Sequence, residues 1–521
     1  MKNIRVIIFI LFVVLECTSL EAYAFMVDGL CYYLNSDNAS VTITYNYDDY
    51  NYGHAYSNLT GHLIIPDSII YNDKAYAVTA IGNSAFFYCT GITSVTIPSS
   101  IISIDNFAFY RTSLTSIIIP SSVTSIGKSA FQGSKLTSLI IPNNVTFIDS
   151  NAFNGCYDLA SVTVGNGVTF IGETAFSDCY NLKTLTIEDG DSTLYMATDY
   201  SDTNKTFFNS PIEVLYLGRD IEWANDWSPF KKNTLSSLTI SNKVTHIGDG
   251  AFCGCSGLTS VSIPNSVTTI GREAFNGCFG LTSVTIGDSV ISIGRYAFYG
   301  CQGLNSVIWN ARSCPDFSSY DDSPFYNTGG TQIKNFKFGE EVERIPAYLC
   351  RDKVGLTSVT IPNSVTEVGE YAFYDCSGLT SLTIGNSVTL IGRYAFMGSF
   401  ESGDTIFSLN PTPPNLGKNV FYNGYIIGIP YNDYDATLLV PIGSKTDYQT
   451  SEGWKNFYNI EETEYDGIDN VVIDQLFDPF KNSGEIKTIY TIDGRALNPQ
   501  DVSLLPNGIY IINGKKIVIN R

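Results

Sequence analysis

Along most of this chain, apolar and polar positions alternate in short bursts that return at a fixed spacing. In "LTSVSIPNSVTTIG" (Leu258–Gly271), Leu258, Val261 and Ile263 fall on one side of an extended chain, and Ser260 and Ser262 on the other. That is the period of a strand. Pro264 ends it, because proline donates nothing to a ladder. Val267 and Ile270 make a second, shorter apolar step, Gly271 reads as a turn residue, and "REAFNGC" turns back with Ala274 and Phe275 inward. The pattern predicts a strand, a turn, a short extended segment, a tight turn, then a strand again.

The unit recurs. Strand-like cores begin at Ile92, Leu114, Leu136, Leu159, Leu182, Leu235, Leu258, Leu281, Leu304, Leu356 and Leu379, mostly 23 residues apart, with two intervals of 22. Two longer gaps hide degenerate copies, "IEVLYL" at Ile212 and "IKNFKF" at Ile333. A single copy cannot bury its apolar side alone, whereas stacked copies form a parallel sheet, with strands about 4.8 Å apart, over a continuous core. The period is that of leucine-rich repeats. The fold expected is a mainly β, right-handed leucine-rich-repeat solenoid of about 13–15 coils with a parallel sheet.

Composition narrows the partners. The formal net charge is −21, from 51 acidic and 30 basic residues among 521. That disfavours nucleic acid and anionic membranes, which select basic patches. At the N-terminus, Lys2 and Arg5, the apolar run Val6–Leu15 and the small-x-small "AYA" (Ala22–Ala24) have the layout of a secretory signal. Cleavage is expected after Ala24; Glu16 stands where lipidation at Cys17 would want a small residue. No later segment is apolar enough for a transmembrane helix, so the mature chain is expected to be exported, to the cell surface or beyond.

The order "IG-x-x-AF-x-x-C-x-x-L-x-S-x-x-IP-x-S-V-x-x-IG" closely resembles the BspA-like leucine-rich-repeat proteins exported by anaerobic Bacteroidota and found in some mucosal protists. The likeness covers about residues 28–462, with "LIIPDSIIYNDKAYAVTAIG" (Leu63–Gly82) similar to the family's opening segment and "ATLLVPIGSKTDYQTSEGWKNFYNIEE" (Ala436–Glu462) to its closing one. The resemblance implies adhesion to host matrix proteins, epithelia or other bacteria.

The ends depart from the repeat. Residues 25–75 read as a β cap over the first coil, 76–435 as the solenoid and 436–464 as the closing segment. Residues 465–521 alternate well and carry "DG", "NG" and "NG" turns, a small C-terminal β domain. "IYTIDGR" (Ile489–Arg495) and "LPNGIYIINGKKIVI" (Leu505–Ile519) are similar to the sorting domains of the type IX secretion route; the alternative is a terminal β cap without a transport role.

Cys89, Cys156, Cys179, Cys255, Cys278, Cys301 and Cys376 share one repeat position, filled by Ser134 and Ser399 elsewhere. The slot wants a small buried group, so free buried thiols are expected rather than a disulfide framework. Outward Ser and Thr positions such as Ser260, Ser262, Ser283, Thr285 and Thr383 form a hydroxyl ladder, read as ordinary β surface. The chain shows no GxSxG, HExxH, P-loop or dinucleotide fingerprint and only three histidines. Neither catalysis, a cofactor nor a metal site is expected.

Binding is sought where the repeat breaks, since loops on a rigid scaffold carry recognition and aromatics anchor it. The irregular stretches Ser192–Ser210, Glu222–Phe230 and Ser318–Gly330 supply Tyr195, Tyr200, Trp223, Tyr320 and Tyr326 as candidate contacts. "SPF" occurs twice, which marks Phe230 and Phe325 as core. The expected function is non-catalytic binding of an extracellular protein or glycoprotein, with glycan capture or a structural scaffold as alternatives.

Overall fold

The computed structural model describes residues 25–45, 56, 58–197, 206–223, 228–230, 233–328, 333–422 and 434–464, and the strands Ile489–Thr491, Ala496–Leu497, Gly508–Ile512 and Lys515–Ile519. The chain divides into two compact units, Met1–Pro229 and Phe230–Arg521. Both are stacks of parallel β coils, about 15 in all, with almost no helix.

In the N-terminal unit, Phe25–Val27, Leu30–Leu34 and Ser40–Thr44 pair antiparallel, and Ser40–Thr44 then pairs parallel with Lys74–Ile81. From there a ladder of short strands runs through Ser103–Ile104, Ser125–Ile126, Phe147–Ile148, Phe170–Ile171, Leu194–Met196 and Ile221–Trp223. A second parallel ladder joins Ser138–Ile141, Ser161–Val164, Thr184–Ile187 and Val214–Leu217. The degenerate copy at Ile212 therefore sits in register with the regular ones.

In the C-terminal unit, Ser260–Ser262, Ser283–Ile286, Ser306–Trp309 and Asn335–Phe338 form one such ladder, which takes in the second degenerate copy. Ser358–Thr360, Ser381–Ile384, Thr405–Ser408, Tyr434–Pro441 and Phe457–Thr463 form another. Trp454 and Tyr448 close its end. The Trp454 indole donates to the Pro414 carbonyl at 2.8 Å, and the Tyr448 hydroxyl donates to that of Asn410 at 2.8 Å. The strands from Ile489 onward pair antiparallel among themselves. Residues 1–24, and with them the expected signal segment, lie outside the described residues, as does most of 465–521.

Burial follows the predicted alternation: Leu258, Val261, Ile263, Val267 and Ile270 are buried, and Ser260 and Ser262 exposed. Two details differ from the sequence reading. The copy at Leu114–Ile119 forms no strand; both flanking intervals are the 22-residue ones, each a residue short in the turn ahead of its leucine, and the ladder is interrupted there. Gly271 is required by close approach rather than by turn conformation. A Cβ there would lie 2.5 Å from the Asp249 backbone nitrogen of the preceding coil.

In nearly every coil the turn inserts a phenylalanine into a stack. Phe86, Phe109, Phe131, Phe153, Phe176 and Phe207 follow one another at centroid distances of 5.1–5.6 Å. Phe230, Phe252, Phe275, Phe298 and Phe325 repeat the arrangement, so both "SPF" phenylalanines are core.

The cysteine slot has a hydrogen-bonding reason. Cys278 Sγ donates to the Phe252 carbonyl of the preceding coil at 3.2 Å, Cys301 Sγ to that of Phe275 at 3.2 Å, and Ser399 Oγ to that of Phe373 at 2.6 Å. A small donor is needed there, and thiol or hydroxyl serves. All eleven cysteines from Cys31 to Cys376 are free, and only Cys253 is partly exposed. Thr383, expected on the outward hydroxyl face, is buried; Phe407 of the next coil stands beside it in register.

Candidate binding surface

The turn that buries Ala and Phe needs two residues with left-handed backbone in most coils: one just ahead of the alanine, one just ahead of the cysteine slot. The second is usually Gly, Asn or Asp, as at Gly300, Asn327, Asp352, Asp375 and Gly398 (φ +51° to +73°). These residue types tolerate that region. The first is Ser84, Ser129, Asn151 or Glu273 in several coils. In four coils of the C-terminal unit, however, it is Tyr296, Tyr348, Tyr371 and Tyr394, at φ +63°, +63°, +55° and +58°. A left-handed bulky residue costs about 1–2 kcal/mol, so the scaffold alone does not call for tyrosine there.

These side chains meet. Tyr348 stacks on Tyr371 at 5.1 Å and 7°, and Tyr371 lies 5.0 Å from Tyr394. Tyr296 contacts Tyr299 at 5.1 Å and Tyr326 at 5.9 Å, and Tyr326 meets Tyr320 edge to face at 4.8 Å. Three arginines lie over the rings. Arg295 is 4.5 Å from the Tyr296 centroid; Arg351 is 4.5 Å from Tyr320 and 4.7 Å from Tyr374; Arg393 is 5.4 Å from Tyr394. All of these tyrosines are half-buried. Because neighbours cover the ring faces within the stack, the hydroxyls and ring edges are left for a partner.

Carboxylates hold the arginines in place. Arg295 pairs with Asp321 and Asp322 at 3.6 Å each, Arg351 with Asp352 at 3.6 Å, and Arg393 with Glu370 at 3.1 Å. The Glu370 carboxylate beside Arg393 raises the guanidinium's pKa further. Burial, and then the bond to Asp352, pushes the Tyr320 phenol well above its ordinary value. The Asp321 charge does the same at Tyr326. These two phenols stay protonated and able to donate.

Below this edge, one coil departs from the repeat. Cys350 occupies the phenylalanine place, and Lys353 the cysteine slot. Lys353 is only 2% exposed, and its ammonium donates to the Arg351 carbonyl at 2.9 Å. Burial lowers its pKa, opposed by the neighbouring Cys350, Cys376 and Asp352. The buried lysine thus tethers the backbone of the arginine that lies between Tyr320 and Tyr374.

Of the residues singled out from sequence, Tyr320 and Tyr326 belong to this surface. Tyr195 lies in the N-terminal unit, at the end of a ring ladder Phe147–Phe170–Tyr195 with centroids 4.9 and 5.8 Å apart. Trp223 is on the adjacent strand in register with Met196, and Glu222 with Tyr195, so alternation puts Tyr195 and Trp223 on opposite faces. Tyr200 lies outside the described residues. Tyr296, Tyr348, Tyr371, Tyr374 and Tyr394, which make up most of the surface, were missed. Their signal was present as "RYAF", "AYLC", "EYAF" and "RYAF", a tyrosine recurring at one repeat slot in the coils from 294 to 395. The N-terminal unit carries a smaller cluster on the equivalent turns. There Phe87 stacks on Tyr110 at 4.8 Å, and Arg111 donates to the Tyr88 hydroxyl at 2.8 Å. Tyr157 and Tyr180 form an exposed pair, parallel to 3° at 5.4 Å.

Among the described residues no helix is long and apolar enough to cross a membrane, and no group of three His, Cys, Asp or Glu side chains is placed to hold a metal ion.

Stacked 23-residue coils with an inward leucine, an aromatic turn ladder and a decorated turn edge define a leucine-rich-repeat solenoid. The chain belongs to the BspA type leucine rich repeat region family, whose sequence model matches residues 78–201, 227–352 and 343–433. Among solved structures, it is similar to a leucine-rich repeat protein from Bacteroides ovatus (27% identity, 74% of this chain, 94% of that one, TM-score 0.41). It is also similar to a leucine rich cell surface protein from Faecalibacterium prausnitzii (24% identity, 78% and 97%, TM-score 0.33). The pneumococcal vaccine antigen PcpA is a third (17% identity, 86% and 100%, TM-score 0.24). No curated protein sequence matches the chain. The family assignment rests on the repeat match.

Proposed function

We propose that this is an exported, non-catalytic binding protein of the adhesin type, which engages an extracellular protein or glycoprotein through the tyrosine and arginine edge between Arg295 and Tyr394. One observation carries the reading: four tyrosines occupy a left-handed turn position at a conformational cost, and three of them stack in sequence over Tyr348, Tyr371 and Tyr394. Tyrosine and arginine are the residue types that dominate protein recognition energetically, because they offer large rigid contact area together with hydrogen-bond donors. The family's character as surface repeat proteins and the secretory layout of residues 1–24 support export, and the outer face of a cell is where such an edge would find a partner.

The test is a binding screen of the purified chain, residues 25–521, against matrix proteins, mucins and bacterial and plant glycans. Saturable protein binding that is lost in Y348A/Y371A/Y394A is the expected result. Binding unchanged by those substitutions would overturn the site. Glycan capture is the second reading, favoured by the exposed, parallel Tyr157–Tyr180 pair, since flat aromatic pairs suit sugar rings. Glycan binding lost in Y157A/Y180A, with no protein binding, would replace the first reading with the second.

A further inference from the structure

We infer that the partner segment docking on this edge is cationic: a lysine- and arginine-rich stretch of polypeptide. The inference rests on the reading of the Arg295–Tyr394 edge as the contact surface, and it adds the chemistry of what binds there.

The protein's own arginines show what the edge accepts. Guanidinium groups already lie over Tyr296, Tyr320, Tyr374 and Tyr394 at 4.5–5.4 Å, each with a carboxylate beside it. Ring face plus carboxylate is the combination that holds a cation in a partly desolvated place. Among the described residues, no cation lies over Tyr299, Tyr326 or Tyr348, and these rings are the ones left for a partner's side chains. Asp321, next to Tyr326, is exposed and sets a negative charge beside that ring.

The charge balance points the same way. Asp321, Asp322, Asp352, Glu370 and Asp375 stand against Arg295, Arg351, Arg393 and the buried Lys353, five carboxylates to four cations. The three arginines are already paired, whereas Asp375 is exposed and makes no ion pair among the described residues. An anionic ligand would meet repulsion from the carboxylates, and the formal charge of −21 on the chain adds a field that draws a basic segment in. An uncharged sugar would gain nothing from the carboxylates.

The experiment is fluorescence anisotropy of residues 25–521 with a labelled, short Arg/Lys-rich peptide and with the same peptide carrying Glu at every basic position. Saturable binding of the basic peptide alone is expected, about tenfold weaker in Y348A/Y371A/Y394A, since the open Tyr348 ring is lost together with the rings that hold Arg351 and Arg393 beside their carboxylates. D321N/D375N should weaken it by a similar factor, and raising the salt from about 50 to about 300 mM should weaken it further. Y348F/Y371F/Y394F retains the stacked rings and guards against loss of fold. Equal binding of the basic peptide by wild type and Y348A/Y371A/Y394A would overturn the inference, because net charge alone would then account for it. No binding of the basic peptide, or binding of the acidic one, would also overturn it. A screened protein ligand that needs the three tyrosines, yet is not displaced by the basic peptide, would leave the contact surface standing and remove only its cationic partner. If ligand and peptide both ignore the tyrosines, both readings fall.

Discussion

At the residue scale, the clearest case is the small donor slot. Burial pushes the thiols of Cys179, Cys255, Cys301 and Cys376 up to about 12, and each Sγ already donates to a carbonyl of the preceding coil. A protonated, buried thiol is a poor nucleophile. Native protein at pH 8 should therefore react with a thiol reagent at Cys253 alone among the eleven from Cys31 to Cys376, and at all eleven after denaturation. A colorimetric thiol count checks this, and rapid modification of several sites in the folded state would contradict it. Lys353 fills the same slot at a cost. Because burial disfavours its ammonium, its folded-state pKa lies below the ordinary 10.5. Below that folded pKa both states carry the charge, and folding bears the full penalty. As pH rises through the folded pKa toward 10.5, the folded state releases its proton first and the penalty shrinks. Lys353→Met should raise the melting temperature at pH 7, and its advantage over the native chain should narrow as the pH becomes alkaline. A pH series of paired melting curves reads the difference directly, free of the contribution of titrating tyrosines common to both proteins.

At the scale of the coil, conformational strain and ring stacking oppose each other. Tyr371 sits at φ +55°, which costs about 1–2 kcal/mol for an L-residue, whereas asparagine bears it more easily. Tyr371 also joins three ring contacts, to Tyr348, Tyr374 and Tyr394, each worth about 0.5–1.5 kcal/mol. The strain offsets much of the contact energy but not all of it, so Tyr371→Asn should cost no more than about 2 kcal/mol of stability while weakening ligand binding. Denaturant melts beside the binding screen separate the two effects; a large stability loss would mean that the stack is structural. The same balance explains what the sequence could reveal. Alternation, the leucine spacing and the shared cysteine position announce the solenoid, because each coil solves the same packing problem with the same residue types. Phe230 and Phe325 were recognisable as core for that reason. The tyrosine edge was harder to see. Tyr348 and Tyr371 sit inside the repeat, where recurrence looks like scaffolding, and attention goes instead to irregular segments such as that of Trp223. Only the backbone conformation shows that tyrosine is a costly occupant of that slot. Likewise, nothing in "LCRDKVGL" says that Lys353 points inward, since a lysine beside two other charged residues reads as surface.

For the whole chain, stability in stacked coils is close to a sum over coils and their nearest-neighbour interfaces, so the ends carry unusual weight. The last coil of the C-terminal unit is covered by Trp454, which is fully buried against Phe421 at 5.4 Å and Tyr448 at 5.1 Å, with its indole nitrogen bonded to the Pro414 carbonyl. Removing the ring opens a cavity and orphans that carbonyl together, a loss of about 3–5 kcal/mol for Trp454→Ala. In a globular core such a loss would be felt throughout. Here each coil contacts chiefly its two neighbours, and the ladder from Ser358 to Phe457 passes the disturbance on one step at a time. Hydrogen exchange of Trp454→Ala should therefore speed up in peptides spanning 380–416 and stay near the native rate in those spanning 244–301. The tyrosine edge reaches from the undisturbed stretch at Tyr296 to the disturbed one at Tyr394, so Tyr394 should lose its order before Tyr296 does. Uniformly faster exchange from 244 to 416 would show that the unit unfolds as one body. The edge would then be as stable as the whole unit, rather than only as stable as its local coils.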